Sequence, residues 1–276
     1  MKPAAFDYIQ AQSIEEVLDA LAELGDAARV LAGGQSLIAM LNMRLTEPEA
    51  LVDITRLADL DTIQARNGWL EVGAATTQAK LEAWPELAER VPLLAQALPY
   101  VGHWQTRNRG TVCGSIVHAD PSSELPLCLA TLGGEVRLRS RRGRRRTLGA
   151  EQFQTGILTT ARAADELVEA VRFPLRREGA GYAFREITIR RGDFALVALA
   201  AEVRRASIRL GVGGVADRPE VREWPILEDE LLADALNDFA WEMGGYSDTH
   251  ATAAYRRELV RRIGLRVIRE ATACRA

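Results

Sequence analysis

Two short glycine-bearing stretches hold the residues best suited to chemistry: Ala32-Gly33-Gly34-Gln35-Ser36 and Arg107-Asn108-Arg109-Gly110-Thr111-Val112-Cys113-Gly114-Ser115. Glycine allows φ > 0 and a close approach to the backbone, and successive N–H groups at a turn or helix start form a concave donor surface for phosphate oxygens. Two such cradles in one chain suit a pyrophosphate, so a dinucleotide cofactor is the first expectation. Ser36 adds a hydroxyl donor to the first of them.

A nicotinamide-binding Rossmann unit would place Gly-x-Gly-x-x-Gly after a strand, with an acid about 20 residues on. Asp53 falls at that distance, but Gly33 is followed at once by Gly34, and Gln35 and Ile38 occupy later positions where small residues are needed. A tight turn without ligand is the other alternative for this stretch.

The surrounding pattern supplies elements to position these loops. Ser13-Ile14-Glu15-Glu16 reads as a capping box, and Ile14, Val17, Leu18, Leu21 and Leu24 repeat at helical spacing until Gly25. Arg29-Val30-Leu31 is a short strand entering the Gly33-Gly34 turn, Ser36 caps a helix through Leu41, and Leu51–Ile54 is the next strand. A strand at Trp69–Val72 precedes helices near 77–83 and 85–98. After the second cradle come a helix at 122–132, a hairpin over 135–148 turning at Arg142-Gly143-Arg144, a strand at 167–173 and a linker at 174–181. Three consecutive strands follow, at 182–190, 195–203 and 207–213, and two helices finish the chain, the last over about 249–272 with an apolar face through Ala253, Leu259, Ile263, Val267 and Ile268.

At 276 residues the chain has room for two domains, each with its own core. A net charge of −3 lacks the basic excess of nucleic-acid binders. No apolar leader opens the chain and no run approaches about 18 apolar residues, so a cytoplasmic protein without a membrane span is expected. Cys113, Cys128 and Cys274 are too few for the four thiolates an iron–sulfur cluster normally takes, and His103, His118 and His250 show no metal-ligand spacing. Cys113 reads either as a small buried filler or as a reactive thiol whose pKa is lowered by nearby amide dipoles. Arg139, Arg141, Arg142, Arg144, Arg145 and Arg146 form a basic hairpin, read as a solvated tip or a contact for an acidic partner.

Read with Ile116-Val117-His118-Ala119-Asp120-Pro121 and Arg190-Arg191-Gly192-Asp193-Phe194-Ala195, the two cradles make nearly the whole chain resemble the FAD-binding medium subunit of the molybdenum hydroxylases, the family of the carbon monoxide dehydrogenase medium chain and the xanthine dehydrogenase flavin domain. The resemblance implies an α+β fold: a two-lobed PCMH-type FAD-binding domain over 1–173 (lobes about 1–55 and 56–173), then a C-terminal domain over 174–276 with a three-stranded antiparallel sheet and helices. It assigns FAD contacts to Ala32, Gly33, Gly34, Gln35, Ser36, Thr111, Val112, Cys113, Gly114 and Ser115, with Cys113 and Ser115 standing where the family usually has glycine and asparagine. Glu124 falls at the acid that meets the adenosine ribose, where a carboxylate suits a diol; a helix N-terminus would favour an acid there as well. Leu167 and Arg185 match two further flavin-contacting positions, the second usually lysine. His103, Gln105, Arg107 and Arg109 could line the same cavity.

The function so implied is electron transfer: FAD here takes electrons from two [2Fe-2S] clusters of a small subunit, which receives them from a molybdopterin-binding large subunit, in a dimer of heterotrimers. No residue of this chain is expected to act as nucleophile or general base. A free-standing flavin oxidase and an FAD-free scaffold are the competing readings.

Overall fold

The computed structural model describes residues 2–275 and builds the chain on four sheets. The first is parallel, of order β1-β3-β2, from β1 (Asp7–Gln10), β2 (Ala28–Leu31) and β3 (Ala50–Asp53). Helix α1 (Ile14–Leu24) joins the first two strands. Ser13 caps it by accepting the Glu16 N–H, and Val17, Leu18 and Leu21 are its buried face. The short helix α2 (Leu37–Asn42) joins the second pair, so the first cradle lies where β2 hands over to α2.

The second sheet is antiparallel, of order β4-β5-β10-β6-β7. It takes up β4 (Ile63–Arg66), β5 (Trp69–Gly73), β6 (Glu135–Arg139), β7 (Arg145–Gly149) and, after the small hairpin β8 (Gln154–Gly156) and β9 (Thr159–Thr160), β10 (Leu167–Pro174). Alternation divides its faces. Leu70, Val72, Val136, Leu138, Val171 and Phe173 are buried, while Glu71, Arg137 and Arg172 point to the other side. Between β5 and β6 run α3 (Gln78–Glu82), α4 (Leu87–Arg90), α5 (Pro92–Ala97), α6 (Trp104–Arg109), α7 (Val112–His118) and α8 (Glu124–Leu132); α9 (Ala150–Phe153) follows β7. The single helix expected at 85–98 is broken at Val91, where Pro92 restarts it. Every residue of α8 is buried, including Glu124.

The C-terminal part is a meander of β11 (Gly181–Ile187), β12 (Val197–Val203), β13 (Ser207–Gly213) and β14 (Glu220–Pro225), followed by α10 (Asp229–Glu242) and α11 (Ala253–Ala273). The three expected strands are joined by β14, an edge strand whose charged sequence hides its strand character. One face carries Leu199, Ala201, Leu210 and Val212 into a core with Leu236, Phe239, Val260 and Val267 of the two helices. The opposite face meets α8: a Cβ added to Gly211 would lie 2.0 Å from Thr131 Oγ1, and Gly213 sits against the Pro121 carbonyl.

The basic hairpin has a solvated tip, with Arg141, Arg142, Arg144, Arg145 and Arg146 exposed, and five of its six arginines also pair with acids of the same chain. Arg139 pairs with Glu15, Arg141 with Asp19, Arg144 with Asp165, Arg145 with Glu169 and Arg146 with Glu166. No helix of the described residues is long and apolar enough to cross a membrane.

Candidate functional site: two amide cradles on one seam

Gly33 joins the two cradles. A Cβ built on it would stand 2.1 Å from the Arg109 carbonyl oxygen and 2.6 Å from Gly110 Cα, so the first loop presses its bare backbone onto the second. Gly34 then turns with φ +72°, a conformation that costs a side-chain-bearing residue about 1–2 kcal/mol. Among the described residues, the N–H groups of Gly33, Gly34, Gln35, Ser36 and Leu37 donate to no backbone or side-chain oxygen. The carbonyls of Gly34 and Ser36 accept from Ile38 and Met40 and so start α2, leaving those five donors unspent. Ser36 has no capping bond, and its hydroxyl is free as well.

The second cradle is fixed from behind. The Gln78 N–H donates to the Gly110 carbonyl (2.8 Å) and the Val112 N–H to the Thr76 carbonyl (3.1 Å). Thr111 caps α7 by accepting the Gly114 N–H at 3.0 Å, and a side chain on Gly114 would collide with that hydroxyl. The Cys113 N–H has no recorded acceptor, and Ser115 donates its N–H to the Thr111 carbonyl. The Cys113 thiol points away from the seam into the sheet, 3.4 Å from the Val72 carbonyl, and burial pushes its pKa up to about 12. This removes the alternative of a reactive thiol with a lowered pKa: the amide dipoles act on a sulfur that has no water around it.

Glu124 opens α8 behind Asp120, whose side chain takes the Ser122 N–H at 2.8 Å. Desolvation raises the Glu124 pKa to about 7. Glu186, on the face of β11 that looks toward α8, is raised to about 8 by desolvation and then by the charge of Glu124, and its Oε2 is buried without a partner. Leu167 and Arg185 are held by other contacts. Leu167 is buried at the start of β10 opposite Arg139, and Arg185 makes a two-pronged ion pair with Glu270 of α11, both contacts 2.9 Å.

Of the flanking residues, Arg107 is committed to Glu82 at 2.7 Å and to the Val101 and Gly102 carbonyls, which anchors α6. His103 caps the approach from the C-terminal sheet: the Gly192 turn of the Arg190–Phe194 hairpin lies against its imidazole. Asp53, the acid a Rossmann reading would require, is spent on the Tyr8 hydroxyl and the Thr55 N–H. Sequence reasoning missed Gln78. It is buried, its Oε1 is unpaired, and it lies against Gly110; a lone Gln behind two threonines gave no signal of this.

Five unspent consecutive donors, a sixth at Cys113 and a backbone contact that leaves no space for a side chain fit a pyrophosphate, and the surface is built by main chain. Such a surface suits a dinucleotide cofactor. The chain belongs to the family described as the FAD binding domain in molybdopterin dehydrogenase, matched over residues 4–176; it is an oxidoreductase component whose cofactor is FAD. It is 34% identical to the 6-hydroxypseudooxynicotine dehydrogenase complex subunit alpha of Paenarthrobacter nicotinovorans, covering 98% of this chain and 96% of that one. It is 32% identical to the carbon monoxide dehydrogenase medium chain of Hydrogenophaga pseudoflava over 81% of this chain and 79% of the relative. Among solved structures, quinoline 2-oxidoreductase from Pseudomonas putida 86 superposes with a TM-score of 0.91 at 33% identity, covering 99% of each chain.

Proposed function

We propose that this chain is the FAD-carrying electron-transfer subunit of a heterotrimeric molybdenum hydroxylase. The observation that carries the reading is the seating of Gly33 on Arg109 and Gly110, which brings the five free amides of residues 33–37 beside the loop that holds the free Cys113 amide. In this reading residues 1–173 form the FAD unit, with lobes at about 1–55 and 56–173, and 174–276 the C-terminal unit. Bound there, FAD accepts electrons singly and releases them in pairs.

The residues contribute position and electrostatics. Ala32, Gly33, Gly34, Gln35 and Ser36 hold one side of the pyrophosphate with main-chain donors and the Ser36 hydroxyl. Thr111, Val112, Cys113, Gly114 and Ser115 hold the other with the start of α7. Glu124, whose pKa burial raises to about 7, can meet a ribose diol as donor in its protonated form and as acceptor in either form. Leu167 bounds the cavity with an apolar wall. Arg185, paired with Glu270, is a further flavin-contacting position that the family resemblance gives.

The partners are a molybdopterin-binding large subunit and a small subunit with two [2Fe-2S] clusters, assembled as a dimer of heterotrimers in the cytoplasm, a compartment in which three free cysteines are at home. The substrate is an N-heterocycle, carbon monoxide or an aldehyde on the large subunit; relatives named for nicotine-derived and quinoline substrates put the N-heterocycle first. Anaerobic absorbance at the flavin band, with each subunit omitted in turn, tests the division of labour. Bleaching by substrate should require all three chains, and bleaching by this chain alone would replace the relay with a self-sufficient flavin oxidase.

A further inference from the structure

On the outer face of the five-stranded sheet, away from the helices that carry the second cradle, Arg66, Asn67, Trp69, Glu71, Arg137 and Arg172 line a cavity of about 210 Å³. Its lining carries three guanidinium groups and one carboxylate. Glu71 is the only acid in the lining and serves three guanidinium groups: Arg137 Nη1 at 2.7 Å, Arg66 Nη2 at 3.6 Å and Arg172 Nε at 3.7 Å. Only the first is a hydrogen bond. Arg172 reaches Glu135 at 3.1 Å with Nη1, but its Nε is buried with no hydrogen-bond partner. The far end of the same face is closed by α1, where Glu15 and Asp19 pair with Arg139 and Arg141. Arg139 Nε at that end is also buried without a partner, but only at the open end does such an Nε, that of Arg172, border a cavity lined by further guanidinium groups.

Three features make this a prepared site. Arg137 and Arg172 stand on neighbouring strands, so their stems are fixed by the sheet. The Arg172 guanidinium lies 4.6 Å above the Trp69 ring, which holds its plane and lowers its hydration. The cavity is several times the roughly 30 Å³ share of a liquid water. A buried guanidinium N–H without an acceptor is costly, and an incoming anion would remove that cost.

We propose that this cavity binds a phosphate-class oxyanion, either free phosphate or the terminal phosphate of a small metabolite, at a site separate from the FAD cradles. Three guanidinium groups lining one cavity match the several acceptor oxygens of a phosphate better than the two of a carboxylate. Arg66, at the mouth with a 61% exposed side chain, closes over the bound ion, while Arg137 and Arg172 form the floor.

The test titrates the FAD-loaded protein with inorganic phosphate at constant ionic strength, followed by ³¹P line broadening, with adenosine monophosphate in a parallel arm. Saturable one-site binding is expected, at least tenfold weaker in Arg137→Gln and severalfold weaker in Arg66→Gln, with FAD content unchanged in both variants. Tighter binding of the nucleotide identifies an organic phosphate as the source; equal or weaker binding identifies free phosphate. Arg66→Gln changes only an exposed side chain, so it remains informative if Arg137→Gln fails to fold. Absence of saturable binding, or affinity unchanged in these variants, overturns the proposal. Binding that survives them and instead disappears in Gly33→Ala would place the phosphate in the cradle.

Discussion

Replacing Gly33 by alanine is the sharpest test of the seam. The added Cβ would sit 2.1 Å from the Arg109 carbonyl oxygen and 2.7 Å from its carbon, both backbone atoms that cannot swing aside. Restoring a tolerable contact moves one cradle by roughly 1 Å relative to the other, a cost of about 1–3 kcal/mol by analogy with overpacked cores. The same displacement pulls the amides of residues 33–37 away from the Cys113 amide, so a ligand spanning both loops loses hydrogen bonds to one of them, each worth about 1.5–3 kcal/mol when the acceptor is charged. FAD affinity should fall by at least 100-fold. Gly34→Ala is the control. It meets only side-chain atoms, Ile38 Cγ1 at 3.2 Å and Leu31 Cδ1 at 3.4 Å, and pays mainly for its positive φ, about 1–2 kcal/mol, a loss of about 5–30-fold. Equilibrium titration of the apoprotein with FAD, read by flavin fluorescence, gives both numbers, and far-ultraviolet circular dichroism verifies folding. Wild-type affinity in Gly33→Ala, or a heavier loss in Gly34→Ala, would refute the argument that the cradles work as one surface.

The two valine variants, Gly33→Val and Gly34→Val, should abolish FAD retention on a desalting column, and Ser36→Ala should only weaken it. A maleimide reagent at pH 8 should label exposed Cys274 and leave Cys113 and Cys128 untouched in the native protein, because burial raises both of their pKa values; mass spectrometry showing rapid labelling of Cys113 would contradict that assignment. Glu124 and Glu186 have folded pKa values above the ordinary 4.5, so their contribution is fully present below pH 4.5 and is lost as pH rises through about 7 and about 8. Each lowers stability by about 1.4 kcal/mol per pH unit across its window, and Glu186→Gln should flatten the slope measured by urea unfolding between pH 5 and 8. Arg256→Leu leaves Asp248 and the Leu196 and Gly214 carbonyls without their buried donor and should cost about 3–5 kcal/mol in the same assay while flavin content at saturating FAD holds steady.

Features of the fold that depend on neighbours in sequence were legible, and those that depend on distant ones were not. Ser13 and Glu16 announce α1 because capping is local, and the hairpin of β6 and β7 follows from alternation on either side of Gly143. Strand β1 was missed because Asp7–Gln10 is half exposed and only four residues long; its pairing with β3 is decided by Leu51 and Val52 far along the chain. Strand β14 was missed because Glu-Val-Arg-Glu-Trp-Pro has charges on both faces, as an edge strand can. The cradle residues could be read as motifs, yet nothing in either motif states that Gly33 rests on Arg109. The Arg256 side chain likewise reads as one of many arginines on an amphipathic helix. It is 1% exposed because it plugs the ends of β12 and β13.

The orientation of Cys113 bears on how such a binding loop can change over time. Its side chain leaves the surface proposed for the phosphate and fills space beneath β5, so a ligand bound there would meet only the amide of that position. Substitution there is policed by the volume of the sheet core, and a lineage can drift from glycine to a small thiol without surrendering the ligand. Gly33 has no such latitude, because its missing side chain is the contact. A search template that weights every glycine of these loops alike would reject functional members and tolerate broken ones; weighting each position by the direction in which its Cβ would point separates the two.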